Sequence, residues 1–405
     1  MAQYPHRSVL ETVGVELFLA SENKKAIAYN DKLLNQDKPF DQGTLDQIWR
    51  TVSDTIDRYD YNEGPNEITG VLLGKIQSGK TTAMTALTAL GYDRGFKIII
   101  AILGTTNLLL EQNSDRLLHG LSIQGDGLRG DYDWVHYEAA RNQRITKGVQ
   151  DAIDNEKTVI ITVLKHAGRL DKVAQQLSQI DLNGIHALIL DDEADRASLN
   201  TQVVQEEESA TYSSILALKQ ALPNHMYVQV TATPFAPILL DEVDDLSPSF
   251  VEILEPGKGY TGAQEFFIDN AETIIRHIRE SEALSEIPSQ LPHGLKRALA
   301  NFLLGSACLL SEGIENAPIS MLVNPTHLTT IHHQVAQLLE RELNTTKRNI
   351  SEASSIDNLP DPFPAEFKDL KDNGINANDN AVIEQLKKIL QGNIKVSLIN
   401  SQNSK

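Results

Sequence analysis

The sequence predicts an α/β protein, a parallel sheet with helices on both faces, set between helical segments. Apolar, strand-like runs recur at 68–73, 97–103, 158–163, 186–190 and 226–231, and most are separated by enough residues for a crossover helix. The residue groups with chemical character lie at the carboxyl ends of these runs, where open parallel sheets bind their ligands.

Ahead of the first run, residues 1–62 read as helical. Leu45, Ile48, Trp49, Val52 and Ile56 recur at helical spacing, and Thr44 followed by Gln47 reads as a capping-box start. Trp49 is expected as a core anchor. The alternating region spans 63–255. Residues 256–317 read as a helical connector, with Ala271–Arg279 and Leu295–Leu304 as its best stretches. Beyond it, 319–323 predicts a strand and about 327–343 a helix. Residues 344–380 are polar, carry Pro360, Pro362 and Pro364, and read as an exposed insertion. A helix over 381–390 and a strand over 394–399 follow.

The length of 405 residues suggests two or three domains, and 41% hydrophobic with 22% charged residues is ordinary for a globular protein. No apolar run approaches a membrane span, and the N-terminus lacks the apolar core of a signal peptide, so a cytoplasmic location without membrane contact is expected. The single cysteine, Cys308, lies in an apolar run and reads as a small buried hydrophobe, which excludes a disulfide framework or a cysteine metal cluster. The net charge of −19 argues against a globally basic nucleic-acid binder, although a local basic groove remains compatible with it. Arg129, Arg141, Arg144 and Lys147 form one modest basic stretch, read as a solvated face.

Gly74-Lys-Ile-Gln77-Ser78-Gly79-Lys80-Thr81 matches G-x-x-x-x-G-K-T between an apolar strand and the helix-like run Thr82–Leu87. Such a loop curls so that successive N–H groups point at a β-phosphate, and the next helix offers its N-terminal N–H groups to the same anion. Gly74, Gln77, Ser78, Gly79, Lys80, Thr81 and Thr82 are therefore the expected nucleotide-binding set, for ATP with Mg²⁺. Lys80 is expected on the β- and γ-phosphates and the Thr81 hydroxyl on Mg²⁺. Gly91 reads as the helix stop.

A second group, Ala187-Leu-Ile-Leu-Asp191-Asp192-Glu193-Ala-Asp195, places acids directly after four apolar residues. An aspartate there accepts from Mg²⁺-bound water, and the next glutamate can orient and deprotonate the attacking water. Asp192 and Glu193 fit these roles, and Asp191 replaces Asp192 if the register slips by one. A third group, Thr231-Ala-Thr233-Pro-Phe235, follows the run Tyr227–Val230. Its hydroxyls, Thr231 and Thr233, suit coupling between phosphate and the neighbouring acids.

Together these groups resemble the first motor lobe of superfamily-two helicases and translocases, including the signature at Asp192-Glu-Ala-Asp195. The resemblance implies a RecA-like lobe. Leu103–Gln112 resembles the segment that touches the nucleic-acid backbone in such motors, and Val159–Thr162 the later strand whose threonine does the same. Gln77–Thr81, Asp191–Thr201, Thr231–Ala236, Tyr260-Thr-Gly262 and Met321–Thr326 are also similar to the Z-one domain family, over about 65–401. That family is described as an endonuclease family of bacterial restriction and phage-defence gene clusters. The resemblance implies a nucleotide-driven motor acting on DNA beside other defence proteins. It also makes 318–405 the start of a second RecA-like lobe.

Pro360-Asp361, Glu366 and Lys368 spell a nuclease-like pattern, but its acids normally converge from paired strands, and the prolines here remove ladder donors. A linker is the better reading. His332 and His333 are adjacent on a predicted helix and diverge, and His327 does not complete a metal set. A two-lobe motor closes its ATP site with an arginine from a Gln-x-x-Gly-Arg-like motif, and no such motif occurs. The expectation is a truncated product or a fragment with an incomplete second lobe, which binds ATP–Mg²⁺ and hydrolyses it slowly alone. A nucleotide-gated assembly switch and a nuclease are the alternatives.

Overall fold

The computed structural model describes residues 22–61, 66–76, 78–123, 133–139, 144–195, 210–233, 244–278, 288–314, 319–326, 328–392 and 394–399. The chain divides into two compact units, Met1–Gly262 and Ala263–Lys405.

The first unit is built on a seven-stranded sheet in the order β3-β4-β2-β5-β6-β1-β7. The strands are β1 Glu67–Gly74, β2 Ile98–Leu103, β3 Trp134–Glu138, β4 Thr158–Leu164, β5 Ala187–Asp192, β6 His225–Thr231 and β7 Phe250–Leu254. Every pairing is parallel. This is the expected RecA-like arrangement. Side chains alternate across a strand, so an apolar run supplies two cores at once. Ile99, Ala101 and Leu103 join one core, with Leu188, Leu190 and Val228. Ile98, Ile100 and Ile102 join the other, with Val159, Ile161 and Ile189. Helices α1 Lys24–Leu34, α2 Gln42–Ile56, α3 Lys80–Arg94 and α4 Asn107–Gly120 cover the first face. Helices α5 Thr146–Asp154, α6 Ala167–Leu177 and α7 Ala210–Gln220 cover the second.

Several boundaries differ from the sequence reading. The edge strands β3 and β7 were not expected as strands. Both are short and only partly buried, so they lack the continuous apolar run that marks the central strands. Helix α2 begins before Thr44: Asp41 is the N-cap, and its carboxylate accepts from the Thr44 N–H at 3.1 Å. Helix α3 passes through Gly91 and ends at Gly95, which holds the left-handed conformation at φ 100°. Gly91 serves packing instead, because a Cβ there would sit 3.0 Å from Leu188 Cδ2 on the sheet. Trp49 is buried as expected and donates its indole N–H to Asn30 Oδ1 at 2.8 Å.

The described part of the second unit is helical. A π-helical turn at Glu265–Asp269 and a short helix at Ala271–Ile274 precede α8 His293–Ser311, α9 Thr329–Ile350, α10 Phe363–Asp372 and α11 Asp379–Gln391. Leu303, Leu304, Val335, Phe363, Phe367 and Leu386 share one core, and Cys308 is buried within it as a free thiol. Residues 344–380 thus differ from the exposed insertion expected of their polarity. α9 runs on to Ile350, and Phe363 and Phe367 carry α10 into the core. Residues 319–323 and 394–399, expected as strands, are assigned to no strand. No described strand of this unit offers them a ladder, and Leu322 and Ile399 are exposed.

Candidate nucleotide site

β1 ends at Gly74 and α3 begins at Lys80, so the glycine-rich loop joins a buried strand to a helix N-terminus. Gly79 is the N-cap and adopts φ 96°, a conformation that favours glycine. A Cβ on Gly74 would lie 2.8 Å from Lys80 Cγ and 2.9 Å from Ser78 Oγ, so only glycine lets these side chains cross the start of the loop. The Lys80 ammonium donates to the carbonyls of Lys75 at 2.9 Å and Gly74 at 3.3 Å. Burial lowers the Lys80 pKa, and the charges of Asp192, Glu193 and Asp195 oppose that shift. Ser78 Oγ is buried in the loop without a hydrogen-bond partner.

Thr81 and Thr82 stand half-buried in the first turn of α3. Burial pushes the Tyr29 phenol up to about 12, against the opposing influence of Thr85 and Thr82. Gln77 lies outside the described residues. Tyr260, not assigned a role from sequence, donates its hydroxyl to the Ile76 carbonyl at 2.8 Å, and the Lys75 ammonium lies 5.8 Å from its ring centroid.

β6 lies between β1, which leads into the loop, and β5, which ends in the acids. Burial distinguishes the two aspartates. Asp191 is fully buried, paired with Lys165 at 2.8 Å and accepting from Tyr227 Oη at 2.6 Å, so it is not free to meet a metal. Asp192 is the acid left at the strand end, where Asn113 Nδ2 donates to Oδ2 at 3.2 Å. Its carboxyl is pushed up to about 6, chiefly by burial and then by Glu193 and Asp191, against Lys165 and the Glu193 N–H. Glu193 follows at φ 51°, the left-handed region that few non-glycine residues occupy.

Asp195 is where the second and third groups meet. Thr231 Oγ1 and Thr233 Oγ1 each donate to its carboxylate at 2.6 Å. Burial raises its pKa, but the hydrogen bonds from Thr231 and Thr233 outweigh that and hold it below the ordinary value. The donor set fits a nucleotide with a divalent cation. Lys80 and the α3 N-terminus suit phosphates, the Thr81 hydroxyl and Asp192 suit Mg²⁺ and its waters, and Glu193 suits the attacking water.

Two expectations change. Thr162 is fully buried within the sheet, in a 2.9 Å hydrogen bond with His136 Nε2, and cannot touch a nucleic-acid backbone. Glu366, whose pattern reads as a linker, lies on a packed helix instead. It is buried on α10, where Arg297 Nε donates to it at 2.5 Å, and the described residues contain no cluster of three metal-ligating side chains. His332 bonds to the Thr326 carbonyl at 2.6 Å, and His327 lies outside the described residues, as do Arg129 and Arg141. Lys165 and Asn113 escaped the sequence reading. A lysine immediately after the largely apolar run ending at Leu164 was the available signal for the first, and nothing local marks the second.

Among the described residues no helix is long and apolar enough to cross a membrane. The family model of the Z1 domain matches residues 294–405, which lie in the second unit. No curated protein matches the chain. Among solved structures, the Pyrococcus furiosus Hef helicase domain is similar with 14% identity and a TM-score of 0.33, over 80% of this chain and 65% of that one. This chain therefore spans slightly under two thirds of that structure. A DNA replication initiation factor is similar with 10% identity and a TM-score of 0.25, over 89% of this chain and 98% of that one. DnaA of Aquifex aeolicus, bound to AMPPCP, is similar with 10% identity and a TM-score of 0.22, over 85% and 86%. At these scores the likenesses carry no functional weight. The Z1 domain match thus covers a narrower stretch than the sequence resemblance spans, and it leaves the nucleotide site to be read from its own geometry.

Proposed function

We propose that this chain is an ATP–Mg²⁺-binding, helicase-like motor subunit that acts on DNA within a bacterial restriction or phage-defence system. The observation that carries the reading is the Asp195 carboxylate held by both Thr231 and Thr233. It joins the acid-bearing end of β5 to the strand beside the phosphate loop. A nucleotide site built only to bind needs the loop and a metal-positioning acid, whereas a motor also needs a link that relays the state of the phosphate. Residues 104–108, which follow β2 at its carboxyl end, offer a DNA-facing loop. Thr105, Thr106, Asn107 and Leu108 are exposed, and Arg169 Nη2 donates to Asn107 Oδ1 at 2.9 Å. The defence setting and partner proteins rest on the sequence resemblance to the Z-one domain family.

The test is fluorescent-ATP binding together with ATP turnover, with and without single- and double-stranded DNA. Wild type binds in a Mg²⁺-dependent way, Lys80→Ala abolishes binding, and Glu193→Gln keeps binding while losing turnover. DNA raises wild-type turnover. Nucleotide binding without any DNA response, combined with nucleotide-dependent capture of partner proteins, replaces the motor with an assembly switch.

A further inference from the structure

Lys165 directly follows β4, just ahead of α6, and its side chain is fully buried. Its ammonium donates to the Asp192 carbonyl at 2.6 Å and the Glu193 carbonyl at 2.8 Å, and it forms an ion pair with Asp191 Oδ1 at 2.8 Å. Asp191 is fixed from its other side by the Tyr227 hydroxyl at 2.6 Å. The two carbonyls belong to the residues assigned to Mg²⁺ and to water, and the second of them sits at φ 51°. A left-handed glutamate persists only where its surroundings over-determine it, and Lys165 supplies that restraint.

The backbone of the same residue belongs to the opposite end of the machinery. The Lys165 N–H donates to the Gly104 carbonyl at 3.0 Å, in the loop that leads to Thr105 and Asn107. His166, the next residue, is the N-cap of α6, and Arg169 in its first turn reaches Asn107. One residue thus has its main chain in the pair of exposed loops after β2 and β4 and its charge beneath the acidic turn after β5.

We propose that Lys165 is a positioning residue that holds the Asp192–Glu193 turn in its working shape and couples that turn to the loops following β2 and β4. The proposal rests on the functional reading above. A displacement of the loop pair moves Lys165 along its own backbone, and its ammonium carries the two carbonyls with it. Contact with a nucleic-acid backbone at these loops then regulates where the Asp192 and Glu193 side chains stand relative to Mg²⁺ and water.

The decisive comparison separates this role from mere core stability. In Lys165→Met/Asp191→Leu/Tyr227→Phe the buried charges are replaced by apolar groups of similar volume, an exchange that is often neutral or stabilising. The carbonyl bonds are not replaced. The expected result is wild-type thermal stability and Mg²⁺-free ATP affinity, with the Mg²⁺-dependent tightening of ATP binding reduced by about tenfold or more. Turnover falls by a similar factor with KM little changed, and its stimulation by DNA disappears. Recovery of Mg²⁺ tightening and DNA stimulation together with thermal stability overturns the proposal. Should the triple variant not fold, Lys165→Gln and Tyr227→Phe make the same comparison. Only the former touches the carbonyls, so equal effects of the two on Mg²⁺ tightening overturn the proposal. Wild-type protein that binds no nucleotide overturns the functional reading itself, a result separate from any difference between variants.

Discussion

Asp195 and Thr231 are joined by a 2.6 Å hydrogen bond that crosses from the end of one strand to the end of its neighbour. The Thr231 hydroxyl donates to Asp195 and accepts from the Thr233 N–H at 3.0 Å, so the two threonines and the aspartate form one closed unit. Thr231 is buried, whereas Thr233 is exposed. Thr231→Val keeps the shape and removes both bonds. It is expected to cost about 1 kcal/mol of stability for each bond lost. ATP affinity should stay within about twofold while turnover falls by about tenfold or more. Thermal denaturation and steady-state kinetics on one preparation check this, and a parallel loss of affinity and turnover counts against a coupling role.

Glu193 is held at φ 51°, where a glutamate is strained and a glycine is not. Glu193→Gly should therefore raise stability by about 1 kcal/mol while removing the carboxylate proposed to activate water, a role that contributes on the order of a hundredfold or more. Glu193→Gln keeps the strain and loses the same activity. Melting temperatures of the two variants, compared with wild type, separate conformational strain from chemistry. Equal melting temperatures for the glycine and glutamine variants contradict the assignment of strain.

The central strands and the phosphate loop were legible because each carries a continuous local signal. β2, β4 and β6 are buried along their whole length and read as apolar runs. The loop has its glycines at fixed spacing, and Gly79 shows why one is needed. β3 and β7 were not legible, since an edge strand such as Trp134–Glu138 is paired on one side and need not be apolar throughout. The choice between Asp191 and Asp192 could not be made locally. What distinguishes the two is Lys165, whose contact with Asp191 spans a strand crossover and leaves no periodic trace. The role of 356–372 was hidden for the same reason. Proline and polar residues there suggested an exposed segment, yet Phe363 and Phe367 are spaced to put one face of α10 into the core.

Glu366 supplies a test in the second unit. Its carboxylate accepts from Arg297 Nε at 2.5 Å and Asn301 Nδ2 at 3.4 Å, although the Arg297 side chain is half-exposed. Screening limits the value of such a pair, so Glu366→Ala should lower stability by about 1 kcal/mol. Because the carboxylate is committed to this contact, no change in any DNA-cleavage assay is expected. Metal-dependent cleavage by wild type that disappears in Glu366→Ala and Asp361→Ala, with Lys80→Ala unaffected, restores the nuclease reading.

His225 sets an acid limit on the first unit. It opens β6 fully buried, and its Nδ1 bonds to the Leu222 carbonyl at 2.7 Å, which makes Nδ1 the protonated nitrogen of a neutral ring. Burial is the main cause that pushes its pKa down from 6.5 to about 4, with the nearby Lys219 charge acting in the same direction against the Leu222 carbonyl. The unfolded chain therefore binds a proton that the folded chain excludes between these values. In that window stability rises with pH. The contribution is complete above about pH 6.5 and is lost as pH falls toward 4. His225→Asn removes the titrating group, so its unfolding free energy should change less between pH 7.5 and 5 than that of wild type. Denaturant melts at these two pH values, about one unit above and near the middle of the window, measure the difference directly. Identical slopes for the two proteins exclude His225 as a source of acid sensitivity.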